Sequence, residues 1–188
     1  DGVLVPVKGS IKPVPWDERF LQVLITMRKE QENWGVIEDP SDVDPRNILK
    51  KVMAQFQSLG LKPVVAFELE FYLLDKNRDE NGKPVPAGGA NKTHVYGIPD
   101  LDLFGRLFDD INKNCKMQNI PATTASSEFA AGQYEINLKH TDDLLKAADD
   151  AAMLRRIIKE TSERHGYEAT FMAKPFLEET GNGMHLHL

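Results

Sequence analysis

The sequence predicts a mixed fold of α-helices and β-strands, with several strands sharing one curved sheet. Three observations predict it. Three separated segments alternate apolar and polar residues at a period of two, the signature of a half-buried strand. Three others carry apolar residues at helical spacing, two of them between clear start and stop signals. Strands and helices alternate loosely along the chain, with no fixed-period repeat. The 188 residues, 41% apolar and 28% charged, are enough for one domain with a real core, or one domain plus part of another.

In chain order, residues 1 to 27 read as strand and turn. Val3 to Val7 alternates weakly, Gly9-Ser10 is a turn, and Ile11 to Trp16 carries prolines that suit an edge or a loop. Phe20 to Ile25 is compatible with helix or buried strand, and its β-branched residues favour strand. Lys29 to Asp44 is polar and Pro-bearing and reads as a linker or surface loop. Asp44 then offers an N-cap, with Pro45 at the first helical position. Ile48, Leu49, Val52, Met53 and Phe56 form a stripe expected in the core, and Gly60 ends the helix. Lys76 to Gly97 is a glycine-rich polar loop, readable as a lid or as a surface excursion, with His94 as a solvated loop residue.

A second helix is expected from Pro99-Asp100, with Leu101, Phe104, Leu107, Phe108, Ile111 and Cys115 inward and Asp109 and Asp110 as solvated charge. Pro121 to Ser127 is small and polar and leads toward a strand after Gly132. Thr141-Asp142-Asp143 caps a long helix with Leu145, Ala148, Ala151, Met153, Leu154, Ile157 and Ile158 apolar, and Gly166 stops it. Tyr167 to Phe171 is a further strand. Gly181-Asn182-Gly183 reads either as a close approach of backbone to a ligand or as a plain hairpin turn.

The chemistry lies in the three alternating segments. In Phe67 to Tyr72, Phe67, Leu69 and Phe71 share one face and Glu68 and Glu70 the other, roughly 7 Å apart. In Gln133 to Leu138, the polar face is Gln133, Glu135 and Asn137, with Glu128 just upstream. In Met184 to Leu188, the apolar face is Met184, Leu186 and Leu188, and the polar face is His185 and His187. Taken singly, each reads as well as the solvated side of an ordinary strand. Together they favour a metal-lined cleft. A solvated face would mix in Lys, Arg, Ser and Thr, and none stands on these three faces. Glu68, Glu70, Glu128, Glu135 and His185 supply the oxygen and nitrogen donors that hard divalent cations take.

The net charge of -6 argues against a nucleic-acid backbone as partner, since that surface wants clustered Lys and Arg. No apolar run reaches the length of a membrane span. Cys115 is the one cysteine, so no disulfide forms within the chain and a reducing cytoplasm is the expected compartment. Its helical setting predicts a small buried hydrophobe. There is no Gly-x-Gly-x-x-Gly or Walker-type loop and no Ser/His/Asp arrangement. The start at Asp1 and the stop at Leu188, inside a predicted strand, suggest a fragment.

Glu68-Leu69-Glu70-Phe71-Tyr72-Leu73, then Ser127 to Asn137, then Met172-Ala173-Lys174-Pro175 with Gly181 to His187 resemble the glutamine synthetase family, in its order and over almost the whole chain. Asp44-Pro45-Arg46 and Trp16 fit too. Within the family, the sequence is most similar to the γ-glutamylpolyamine (γ-glutamylputrescine) synthetase branch. The resemblance implies an α+β fold: part of the family's catalytic domain, mainly antiparallel curved sheet with flanking helices, preceded by the end of a β-grasp domain. Residues 1–32 would be the β-grasp remnant and residues 33–188 the first part of the catalytic domain.

It also implies a reaction. ATP phosphorylates the γ-carboxylate of glutamate, and an amine or ammonia attacks the acyl phosphate, with two Mg2+ or Mn2+ ions per site. By motif position, Glu70, Glu128 and Glu135 match ligands of the ion near glutamate, and Glu68 and His185 match ligands of the ion near the ATP phosphates. His187 matches the residue beside the phosphates, His140 falls near the nucleotide, and Glu70 and Gly181 lie where glutamate binds. No catalytic residue is assigned. The family's later arginines, remaining metal carboxylate and flap are absent here, so the fragment is expected to be inactive alone. The family assembles ring-shaped homo-oligomers (dodecamers) with sites between subunits. Glu128 and Glu135 stand one residue closer than in the ammonia-using bacterial enzymes, which favours the amine-using branch, and Thr180 replaces their Asn before Gly181. Glutamine synthetase proper and a non-catalytic relative are the alternatives.

Overall fold

A computed structural model describes residues 2–30, 36–40, 43–89 and 95–188. His94 lies outside the described residues. The chain divides into two compact units, Asp1–Val64 with Asp142–Lys146, and Val65–Thr141 with Ala147–Leu188.

The first unit holds β1 (Gly2–Pro6), β2 (Lys12–Val14), β3 (Asp17–Gln22), β4 (Ile25–Glu30), β5 (Val36–Pro40) and α1 (Pro45–Ser58). β1, β4 and β5 form one antiparallel sheet in that order, and β2 pairs with β3. The stretch expected to be a linker therefore contains the end of β4 and all of β5. Backbone pairing with β4 makes that strand despite its charged, Pro-ended sequence. Asp44 caps α1 as expected, accepting from the Arg46 N–H at 2.9 Å. The same carboxylate accepts from the Thr26 hydroxyl and, at 2.8 Å, from the Met27 N–H. Burial pushes its pKa up, but these hydrogen bonds outweigh burial and hold it below its ordinary value. The stripe on α1 is not core: Ile48 is 47% and Val52 38% exposed, and Asn47 is the buried residue of that helix. Asn47 is drawn inward because its amide donates to the Met27 carbonyl at 3.0 Å.

The second unit is built on β6 (Ala66–Asp75). After it come α2 (Ile98–Leu103), α3 (Gly105–Met117), β7 (Ala122–Ser127), β8 (Gln133–Leu138), α4 (Leu144–Arg164), β9 (Tyr167–Thr170) and β10 (Met184–His187), with α4 beginning in the first unit. One antiparallel sheet runs β10-β6-β8-β7. One edge of β6 serves two strands in turn: Ala66 to Leu69 pair with β10, and Tyr72 to Asp75 pair with β9. The other edge pairs with β8, which sets Glu70 opposite Glu135 and Glu68 opposite Asn137.

One part of the core lies on the odd-numbered face of β6, where Leu69, Phe71 and Leu73 are buried with Tyr134, Ile136 and Leu138 of β8. A smaller cluster of Tyr72, Leu74 and Ala130 with Phe176 lies on the even-numbered face near the end of that strand. Tyr134 is ringed by Phe71, Phe104 and Phe108, with centroids 6.1, 5.8 and 5.1 Å away. Cys115 is buried as expected, and burial lifts its thiol to about 12. The expected helix from Pro99 is two, broken at Phe104, whose ring turns into the core. Asp110 is not merely solvated: His165 pairs with it at 2.9 Å and Lys113 at 3.1 Å. On α4 the buried stripe begins one residue earlier than expected, at Leu144 and Ala147, and the face it marks also takes Asp150, Thr161 and Ser162 inward. β7 is a strand despite its small polar residues, held by its register on β8. No described helix is long and apolar enough to cross a membrane.

Candidate metal centre

β6, β8 and β10 turn one set of side chains to the same side of the sheet. Antiparallel register puts Glu70 beside Glu135, a pair of like charges whose side chains start roughly 5 Å apart. Such a pair opposes sheet formation on its own. Met184↔Leu69 and His185↔Glu68 register brings the imidazoles of β10 against the same carboxylates. His185 Nδ1 lies 3.1 Å from Glu68 Oε2 and His187 Nε2 lies 2.7 Å from Glu68 Oε1, so Glu68 joins two imidazoles. The hydrogen bond to Glu68 raises the His185 pKa, against a smaller opposing effect of burial.

Glu68, Glu135 and His185 each offer a ligand atom, all within 4.8 Å of one another. Donors on opposite sides of a Mg2+ ion stand about 4.2 Å apart, so a small contraction suffices to enclose a cation. Oxygen donors with one imidazole suit Mg2+ or Mn2+. Glu128 sits in the turn after β7, where its N–H donates to the Gln133 carbonyl at 2.8 Å. Burial and then the charges of Glu135, Glu70 and Glu68 push its carboxyl up to about 7. Burial also raises Glu135, against the Asn137 amide, which donates to it at 2.9 Å. Glu128 and Glu135 thus resist ionising in this setting, a cost that a bound cation would relieve.

Beside the cluster lies a cavity of about 420 Å³, lined among others by Glu68, Asn137, Lys139, His140 and His187. The His140 and His187 rings are 6.1 Å apart. The expected burial of one face of β10 is not found: Met184 is 66% and Leu186 56% exposed. β10 is an edge strand, and no described element covers it.

The model for the glutamine synthetase catalytic domain matches residues 42–188. This chain belongs to the glutamine synthetase family. It is 44% identical over 195 residues to γ-glutamylputrescine synthetase of Escherichia coli (strain K12), covering 100% of this chain and 40% of that protein. It is 35% identical over 197 residues to glutamate–isopropylamine ligase of a Pseudomonas species, again covering 100% and 40%. A solved GmaS/ADP complex superposes with a TM-score of 0.83 at 26% identity, covering 99% of this chain and 41% of that one. The chain spans about 40% of the length of these curated relatives. Family, branch and antiparallel α+β fold are those the sequence motifs point to.

The resemblance to the family implies two sets of ligands. The structure draws Glu135 within reach of Glu68 and His185 as well as opposite Glu70. Gly181 has a packing role of its own: a Cβ there would stand 2.6 Å from the Ala173 carbonyl oxygen. Gly183 borders the site directly, since a Cβ there would meet Glu70 Oε1 at 2.8 Å and His185 Nε2 at 3.0 Å. Sequence reasoning assigned no role to Gln133 or to the Thr180 side chain. Gln133, 2% exposed, reaches both Glu70 and the Thr180–Asn182 segment. Its place in an alternating polar face was the available signal, but an amide carries no charge to set it apart from a solvated side chain.

Proposed function

We propose that the full-length protein is an ATP-dependent ligase that activates the γ-carboxylate of glutamate and couples it to an amine of the putrescine type. The observation that carries this reading is the convergence of Glu68, Glu135 and His185 from three strands within 4.8 Å, in a chain of this family. The names of the two curated relatives support the amine.

In this reading the glutamate γ-carboxylate attacks the terminal phosphorus of ATP and ADP leaves. The amine nitrogen then attacks the acyl carbon, inorganic phosphate leaves, and the nitrogen gives up a proton. The chemistry that two Mg2+ or Mn2+ ions supply is neutralisation and in-line orientation of the transferring phosphoryl group. Glu70, Glu128 and Glu135 would hold one ion on the glutamate side, and Glu68 and His185 the other on the ATP side. Glu68 pairs with both His185 and His187, and His187 lines the cavity where we place the phosphates and nucleotide, with His140 beside it in the lining. Glu70 and the Gly181 backbone border the glutamate position. The acidic face attracts a cationic amine and accepts its proton. Residues 1–32 belong to a β-grasp domain and residues 33–188 to the catalytic domain. The active assembly is a ring-shaped homo-oligomer (dodecamer) in a reducing cytoplasm, and these 188 residues alone are inactive.

The test is phosphate release by the full-length protein with glutamate and ATP, adding putrescine or ammonium. Release with putrescine is expected. Release with ammonium alone would select glutamine synthetase proper, and release with neither would remove the ligase reading.

A further inference from the structure

We propose that Gln133 is a positioning residue. Its buried amide clamps the Thr180–Gly183 segment to the Glu70 carboxylate, and the Thr180 hydroxyl donates the bond that ties the start of the segment to that amide.

Gln133 Oε1 accepts from the Ala130 N–H at 3.3 Å and from Thr180 Oγ1 at 2.6 Å. Its Nε2 lies 3.0 Å from Glu70 Oε2, 3.0 Å from the Gly181 carbonyl oxygen and 3.4 Å from Asn182 Oδ1. The orientation is over-determined. A backbone N–H only donates, so the Gln133 oxygen belongs beside Ala130. A carboxylate and a carbonyl only accept, so the NH2 belongs beside Glu70 and Gly181. Turning the amide over would set oxygen against oxygen on one side and donor against donor on the other, with the Gln133 side chain itself shielded from water.

Thr180 completes the clamp from both ends. Its hydroxyl donates to Gln133, and its carbonyl accepts from the Tyr72 hydroxyl at 2.6 Å. Tyr72 and Gln133 are register partners on β6 and β8, so both anchors stand on the same rung of the sheet. Two backbone bonds then tie the segment down: Asn182 N–H to the Ala173 carbonyl at 2.9 Å, and Glu70 N–H to the Gly183 carbonyl at 3.1 Å. One side chain thus couples the position of a carboxylate to the position of the segment beside it. Outer-shell partners of this kind tune ligand geometry in metal sites. The consequence for metal affinity rests on the function proposed above, whereas the clamp does not.

The experiment measures backbone amide exchange at Glu70 and Asn182 and the Mn2+ affinity by calorimetry, on the wild-type chain, Thr180→Val, Thr180→Ser and Gln133→Leu. Thr180→Val keeps the shape and removes the donor; Thr180→Ser keeps the donor. Exchange at both amides is expected to quicken about tenfold in Thr180→Val and to stay at the wild-type rate in Thr180→Ser. Mn2+ affinity is expected to fall roughly 10- to 100-fold in Gln133→Leu, and in the same direction in Thr180→Val. Where Gln133→Leu does not fold, Thr180→Val carries the test. Unchanged exchange in Thr180→Val overturns the clamp. Faster exchange with unchanged Mn2+ affinity overturns the positioning role. Faster exchange in a chain whose wild type binds no Mn2+ supports the clamp and removes the metal reading instead.

Discussion

Replacing Gly183 by alanine separates the metal site from the fold. Gly183 does not need the left-handed backbone, so alanine is conformationally allowed there. Its Cβ would stand 2.8 Å from Glu70 Oε1 and 3.0 Å from His185 Nε2. Comfortable contacts lie near 3.5 Å, so those two side-chain ends must retreat by roughly 0.5 Å, about the tolerance of a preorganised site. Both atoms are the far ends of side chains rather than backbone, which makes the retreat cheap for folding. We expect Mn2+ affinity to drop roughly 10- to 100-fold, about 1.4 to 2.8 kcal/mol, with stability within about 1 kcal/mol of wild type. Gly181→Ala is the contrast. Its Cβ would meet the Ala173 carbonyl oxygen at 2.6 Å, and backbone cannot step aside so easily. It should cost about 1 to 3 kcal/mol of stability. Calorimetric Mn2+ titration and thermal unfolding of both variants make the measurement. Unaltered Mn2+ affinity in Gly183→Ala, or equal loss of stability in the two variants, would refute the reasoning.

Two more outcomes follow from the electrostatics. With Glu128 pushed up to about 7, the metal-free folded chain binds more protons than the unfolded chain between the ordinary carboxylate value and about 7. This group's contribution to stability is therefore lost as pH rises through about 7, and Glu128→Gln should flatten that slope in melts across the range. By the same linkage, Mn2+ binding at neutral pH should release protons, which titration in buffers of different ionisation enthalpy detects, and Glu128→Gln should reduce the release, with Glu135 and His185 supplying the remainder. Asp44→Ala removes a helix cap and the partner of Thr26 and Met27, and should speed amide exchange in the first turn of α1 by an amount equivalent to about 1 to 2 kcal/mol. Because the folded carboxyl sits below its ordinary value, the wild-type advantage should fade as pH falls through that lowered value.

What the sequence makes legible is whatever has a period or an unusual residue. Glu68 with Glu70, Glu135 with its neighbours, and the histidines of β10 announce strands and a cation site together, because alternation and charge coincide. Asp44-Pro45 announces α1. β5 and β7 are not legible, since Val36–Pro40 and Ala122–Ser127 lack an apolar rhythm and exist through pairing with β4 and β8. The exposed stripe of α1 and the bare face of β10 mislead in the opposite sense: periodicity shows which residues share a face, not what covers it. Gln133 escapes because the partners that give it a role, Glu70, Thr180 and Gly181, lie 47 to 63 residues away in sequence.

The shared edge of β6 has a consequence for how such a site can diversify. Strands β9 and β10 are both registered on β6, one directly beyond the other, and residues 171–183 leave the sheet between them. That excursion is pinned at each end by a separate ladder. Lengthening, shortening or rewriting its outer part leaves both registers, and hence the spacing of the carboxylates, intact. A scaffold of this kind can vary the rim beside its acidic face without moving the strands that carry the carboxylates.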